Sequence, residues 1–119
     1  MESIKLFDSE LKLMEILWDK EPISAKQLHI LATEQIGWNK NTTYTILKKL
    51  IEKNAVLRKD PSFICATLIK KEDVRKAETE SLIDKLYDGS KKAFFAAFLG
   101  NESLSEEDIA ELKAMIEKR

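Results

Sequence analysis

Asn41, Thr42, Tyr44, Thr45, Lys48 and Lys49 recur three and four residues apart (41 to 44 and 45, 44 to 48, 45 to 48 and 49), which gathers them on one face of a helix. The amide and hydroxyls in the first turns offer donors and acceptors of the kind that match base edges in a major groove. The amines that follow are cations suited to phosphate oxygens. Lys40 adds a charge at the first turn, and Arg58 and Lys59 stand a few residues beyond the helix. Together they offer non-covalent recognition of double-stranded DNA, with Asn41, Thr42, Tyr44 and Thr45 towards the bases and the basic residues towards the backbone. The bland alternative is a solvated helix face, which several globular folds also show.

Reaction chemistry finds little support. His29 is the sole histidine and Cys65 the sole cysteine, so one chain can assemble neither a Cys/His zinc site nor an internal disulfide. His29 reads as a solvent-facing or edge residue. Cys65 reads as a small apolar strand residue, with redox sensing as the lesser alternative. No nucleophile elbow, phosphate loop or metal-hydrolase motif occurs, and the acidic residues read as solvated helix faces. The expectation is a chain that is no enzyme and takes no metal or cofactor. No run of roughly 18 apolar residues is present to span a bilayer. Met1–Lys5 lacks the apolar core of a secretory signal, so a cytoplasmic location away from membranes is expected.

The elements that must position this face follow from periodicity and punctuation. A first helix begins near Asp8 or Ser9 and carries Leu11, Met14, Leu17 and Trp18 at helical spacing to Asp19, before Pro22 stops it. Ser24 with Gln27 forms a capping box for a second helix, and Ile23 with Leu28 a hydrophobic staple. Gly37 turns the chain, and Asn39 caps a third helix to about Lys53, with Thr43, Ile46, Leu47, Leu50 and Ile51 inward and Asn54 closing it in left-handed geometry. Residues 55–58 and 63–68 read as two strands around the turn cluster Lys59-Asp60-Pro61-Ser62. Three helices and a hairpin make a winged helix.

Charge divides along the chain. The chain as a whole carries a net −1, but within residues 38–60 six basic side chains face two acidic ones, whereas residues 71–119 hold nine basic against twelve acidic. The positive charge is therefore local to the polar helix and the hairpin, as a DNA footprint requires.

From Lys71 the pattern is helical to Gly89. Residues 93–99 are then apolar nearly all round, a helix to be buried on most sides, and Ser105 caps a last helix with Leu104 and Ile109 as its staple. Leu82, Ile83, Leu86, Phe94, Phe95, Phe98, Leu99, Ile109, Leu112, Met115 and Ile116 are more apolar surface than three short helices can bury within one chain. A second copy is the simplest cover, since soluble oligomers are most often two-fold dimers. The alternative is that these helices fold back on the winged helix. The expected fold is mostly α with a small β wing: a winged helix-turn-helix DNA-binding domain over 1–70 and a three-helix dimerisation arm over 71–119.

Three runs carry a resemblance. Phe7-Asp8-Ser9-Glu10 leads into a helix ending Ile16-Leu17-Trp18. Trp38 precedes Thr42-Thr43-Tyr44-Thr45-Ile46-Leu47-Lys48-Lys49-Leu50. An aromatic helix, Phe94 to Phe98, is followed by Leu104-Ser105-Glu106-Glu107-Asp108-Ile109, then Glu111-Leu112, the most specific of the three. On these residues the chain resembles the BlaI/MecI penicillinase-repressor family, whose copper-responsive relatives include CopY. The resemblance implies a homodimeric transcriptional repressor on a palindromic operator, the winged helix on DNA and the last three helices interlocked between subunits. The β-lactam-responsive members are induced by a protease that cleaves an Asn-Phe bond. The corresponding pair here is Ala97-Phe98, so the resemblance carries no expectation of cleavage at that bond. Nor does it carry one of metal control through the cysteine cluster of the copper-responsive members. Asn54 stands in place of the usual Gly, Cys65 in place of an aromatic and Lys40 where Pro is frequent. The rival reading is a dimeric winged-helix module that binds a protein partner and no DNA.

Overall fold

A computed structural model describes residues 4–100 and 104–119. Helix α1 spans Asp8–Lys20, α2 Ala25–Gln35 and α3 Lys40–Glu52. Strands β1 (Ile23–Ser24), β2 (Val56–Lys59) and β3 (Ile64–Thr67) form one antiparallel sheet in the order β1-β3-β2. Helices α4 (Lys71–Tyr87), α5 (Lys91–Leu99) and α6 (Glu106–Glu117) complete the described chain.

The caps do what their chemistry dictates. The Gln27 N–H donates to Ser24 Oγ at 3.1 Å and the Thr42 N–H to Asn39 Oδ1 at 2.8 Å, satisfying amides that a helix leaves open at its start. Gly37, at φ +89°, reverses the chain between α2 and α3, and its N–H donates to the Ala32 and Thr33 carbonyls. Asn54 takes φ +63° after α3, a conformation that Asn tolerates better than most side chains.

The chain forms two compact units, residues 1–77 and 78–119, so α4 begins in the first and continues in the second. In the first unit, Leu13, Met14, Leu17, Leu28, Leu47 and Leu50 are fully enclosed between the three helices. Val56, Cys65 and Val74 extend that core to the sheet and to the start of α4.

Four details depart from the sequence expectation. Strand β1 reads in the sequence only as a cap and a staple, yet Ile23 pairs with Cys65 and Ser24 with Ile64, giving the hairpin a third strand. Two residues carry no periodicity of their own, so the pairing is decided by β3. Phe63, expected in a strand, lies in the turn at φ +49°, and the register Lys59 with Ile64 makes the hairpin loop four residues long. Glu10 is not on a solvated face but 1% exposed. The fourth departure is α5, expected to be buried on most sides, which has no buried residue within the single chain.

Candidate nucleic-acid interface

Helix α3 divides its side chains sharply. Thr43, Ile46, Leu47 and Leu50 are buried, and Thr43 satisfies its hydroxyl by donating to the Asn39 carbonyl at 3.1 Å. Lys40, Asn41, Thr42, Thr45, Lys48 and Lys49 are exposed on the other side. Thr45 Oγ1 donates to the Asn41 carbonyl at 2.8 Å, which fixes its rotamer and leaves its lone pairs outward. Tyr44 differs from its neighbours. It is half-buried, with its ring 6.2 Å from His29 on α2 and 6.0 Å, edge-on, from Phe63 in the hairpin turn, while Lys40 Nζ lies 5.8 Å from its centroid.

His29 is half-buried beside Tyr44, which fits the edge position of the sequence reading rather than the solvent-facing one. Its Nδ1 is buried without a hydrogen-bond partner among the described residues.

The cations separate into two groups that composition alone does not distinguish. Lys53 Nζ reaches Glu10 Oε1 at 2.6 Å, donates to the Lys5 carbonyl at 3.0 Å and sits 4.4 Å from the Phe7 ring. The same Glu10 oxygen accepts the Phe7 N–H at 2.8 Å, so one carboxylate both closes the start of α1 and ties it to the end of α3. Arg58 Nε pairs with Asp60 Oδ1 at 2.9 Å, and its guanidinium lies 3.7 Å from the Phe63 centroid. Among the described residues, Lys40, Lys48, Lys49 and Lys59 enter no ion pair and remain exposed around the outer face of α3 and the wing. Of the six basic residues of segment 38–60, Lys53 is thus a structural cation, and the footprint is correspondingly smaller than the charge count suggests.

The wing is anchored at its base. Thr67 donates its N–H (2.7 Å) and its hydroxyl (2.8 Å) to Glu21 Oε1, and Trp18 Nε1–H donates to the Ile69 carbonyl at 3.0 Å. These bonds join the end of α1 to the exit of β3 and set the hairpin against the helices. Cys65 is enclosed within the sheet. Burial pushes its thiol from the ordinary 9.0 up to about 11, partly opposed by the nearby Arg58 charge. A thiol so held is protonated and unreactive at neutral pH.

Residue by residue, the structure brings together Lys40, Asn41, Thr42, Thr45, Lys48 and Lys49 on one helix and Arg58 and Lys59 on β2. It turns the Tyr44 ring towards His29 and Phe63. The sequence reading gives Phe63 and Glu10 no part in the site. The Asp-Pro-Ser turn before an aromatic is the signal for the first. No local signal marks the second, whose partner is 43 residues away.

In the second unit, Leu82, Leu86, Phe95, Phe98, Leu99, Ile109, Leu112, Met115 and Ile116 are all exposed. Phe94 is half-buried by Tyr87, Phe95 and Phe98, whose rings lie 4.9 to 5.6 Å from its own. Ile83, by contrast, is 4% exposed and already covered by its own chain.

Comparison with known proteins agrees with this layout. The penicillinase repressor of Bacillus licheniformis is 26% identical over 116 residues, covering 96% of this chain and 91% of the relative. The methicillin resistance regulatory protein MecI of Staphylococcus aureus (strain N315) is 26% identical over 117 residues, covering 97% and 95%. The solution structure of monomeric Bacillus licheniformis BlaI in complex with the blaP half-operator superposes with a TM-score of 0.53 at 25% identity, over 61% of this chain and 93% of that one. The first unit is a winged helix-turn-helix, and a model of the penicillinase repressor family matches residues 6–118, so the chain belongs to that family.

Proposed function

We infer that this chain is a DNA-binding transcriptional repressor that acts as a homodimer on a palindromic operator. The observation that carries the reading is the outer face of α3, where Asn41, Thr42 and Thr45 lie beside lysines that enter no ion pair among the described residues. A major groove admits one such helix, and the polar groups of its first turns face base edges while Lys40, Lys48, Lys49 and Lys59 meet phosphates. Membership of a repressor family and the half-operator complex of its relative support the same reading. The dimer is supported by α5 and α6, which have no buried residue in the single chain. Two-fold symmetry would then set half-sites about one helical turn, or a multiple of it, apart.

The test is binding of the purified chain to random-sequence duplex DNA across a salt series, with the mass in solution recorded at the same concentrations. Salt-sensitive binding by a species of twice the chain mass is expected. A dimer without DNA affinity even at low salt would overturn the reading in favour of a protein-interaction module, and a DNA-binding monomer would overturn the dimer. Lys48→Ala should weaken binding to all sequences and lower the salt slope by about one per subunit, whereas Thr42→Ala should change base preference. Equal losses on specific and random DNA for both variants would sink this division of roles.

A further inference from the structure

Phe63 is the one residue of the hairpin turn that links all three parts of the DNA-facing side. It holds φ +49°, where Gly or Asn is the usual occupant, so the position accepts a conformational penalty to keep a ring there. Its carbonyl accepts the Ala25 N–H at the start of α2 at 2.9 Å. The ring meets Tyr44 of α3 edge-on at 6.0 Å, and Tyr44 in turn rests against His29 at 6.2 Å. On the same ring lies the Arg58 guanidinium, 3.7 Å from the centroid, with Nε bonded to Asp60 at 2.9 Å.

A solvent-exposed arginine on a two-stranded wing ordinarily samples many rotamers and gives up that freedom on binding. Here the planar group is already laid on an aromatic face and tied through Nε. Its two terminal NH₂ groups are the ones whose geometry suits a phosphate.

The geometry points to Phe63 as a positioning residue for DNA recognition: its ring, braced by Tyr44, holds Arg58 of the wing in place for a backbone phosphate of the duplex that α3 occupies. This rests on the DNA-binding reading above. It also gives Tyr44 a structural duty in place of the base contact expected from the sequence, since a ring braced between His29 and Phe63 sets the wing against the recognition helix.

The experiment compares the full-length wild-type chain, Phe63→Leu, Phe63→Tyr, Arg58→Ala and the double variant Phe63→Leu/Arg58→Ala on a short random-sequence duplex across a salt series. Leu keeps apolar bulk against Tyr44 and removes the aromatic face beneath Arg58. Phe63→Leu and Arg58→Ala should each weaken binding roughly three- to tenfold and lower the salt slope by about one per subunit. The double variant should be no worse than Arg58→Ala alone, and Phe63→Tyr should keep the wild-type slope. A Phe63→Leu slope equal to wild type, or losses that add in the double variant, would overturn the positioning role while leaving DNA binding intact. A wild-type chain with no salt-dependent affinity would overturn the DNA-binding reading and this role with it.

Discussion

The two compact units spend the same kinds of side chain differently. In residues 1–77 most leucines of α1, α2 and α3 are enclosed against one another, and the Thr43 hydroxyl and Glu10 Oε1 find partners within the unit, although Glu10 Oε2 and His29 Nδ1 are buried without one among the described residues. In residues 78–119 the helices are at least as apolar in places, but Phe98 is 52% and Met115 63% exposed. One unit completes its core from its own sequence. The other leaves the apolar side chains of α5 and α6 uncovered in the single chain and has a charge balance that is net acidic, which suits the proposed interface between chains rather than a polyanion.

The contrast breaks most readily in the second unit. If the chain dimerises as proposed, Phe98→Asp should lower the association constant between chains roughly a thousandfold, about 4 kcal/mol, because a carboxylate would be buried where the proposed interface packs a ring. Mass measurement should show the monomer, with the melting of the first unit unchanged. A dimer of wild-type strength would mean that Phe98 lies outside the contact.

In the first unit, Leu50→Ala should cost about 3 kcal/mol in denaturant unfolding, since it leaves a cavity among fully enclosed neighbours. Leu86→Ala, at a position 65% exposed, should change the stability of a monomeric background by no more than about 0.5 kcal/mol. Similar costs for both would remove the distinction between the units.

The Glu10–Lys53 pair gives a finer test. Lys53→Met should destabilise by about 2 to 3 kcal/mol, below the range for a fully buried pair because the Lys53 side chain is 29% exposed while that of Glu10 is 1%. Adding Glu10→Gln keeps an acceptor for the Phe7 N–H, removes the stranded charge and should recover roughly half of that loss. The salt slope of DNA binding should stay at the wild-type value. A lower slope would return Lys53 to the phosphate footprint.

The smallest effect concerns Cys65. Its thiol loses a proton near pH 9.0 in the unfolded chain and only near 11 in the fold. Between those values the folded state holds the extra proton, so this group's contribution to stability is complete below pH 9.0 and is lost as pH rises through about 11. A thiol reagent should accordingly react slowly with the native chain at pH 8 and rapidly after denaturation. Rapid native reaction would show that β3 opens.

Residue types and their spacing are enough to set the local features. Ser24 and Asn39 cap their helices because each offers an oxygen three residues before an open N–H, Gly37 and Asn54 turn the chain because they tolerate positive φ, and apolar spacing assigns the inner face of α3. The polar outer face of that helix was legible for the same reason, as the complement of a 3.6-residue period. Which charges are consumed and which remain available depends instead on how the elements pack. Lys53 and Lys48 are alike in sequence, yet one meets a carboxylate 43 residues away and the other meets none among the described residues. Strand β1, the Glu21 to Thr67 bonds and the edge-on contact of Phe63 with Tyr44 depend likewise on contacts between distant segments, and no local propensity encodes them. Spacing along the chain fixes which way a side chain faces on its own element, whereas its partner is fixed by how elements pack.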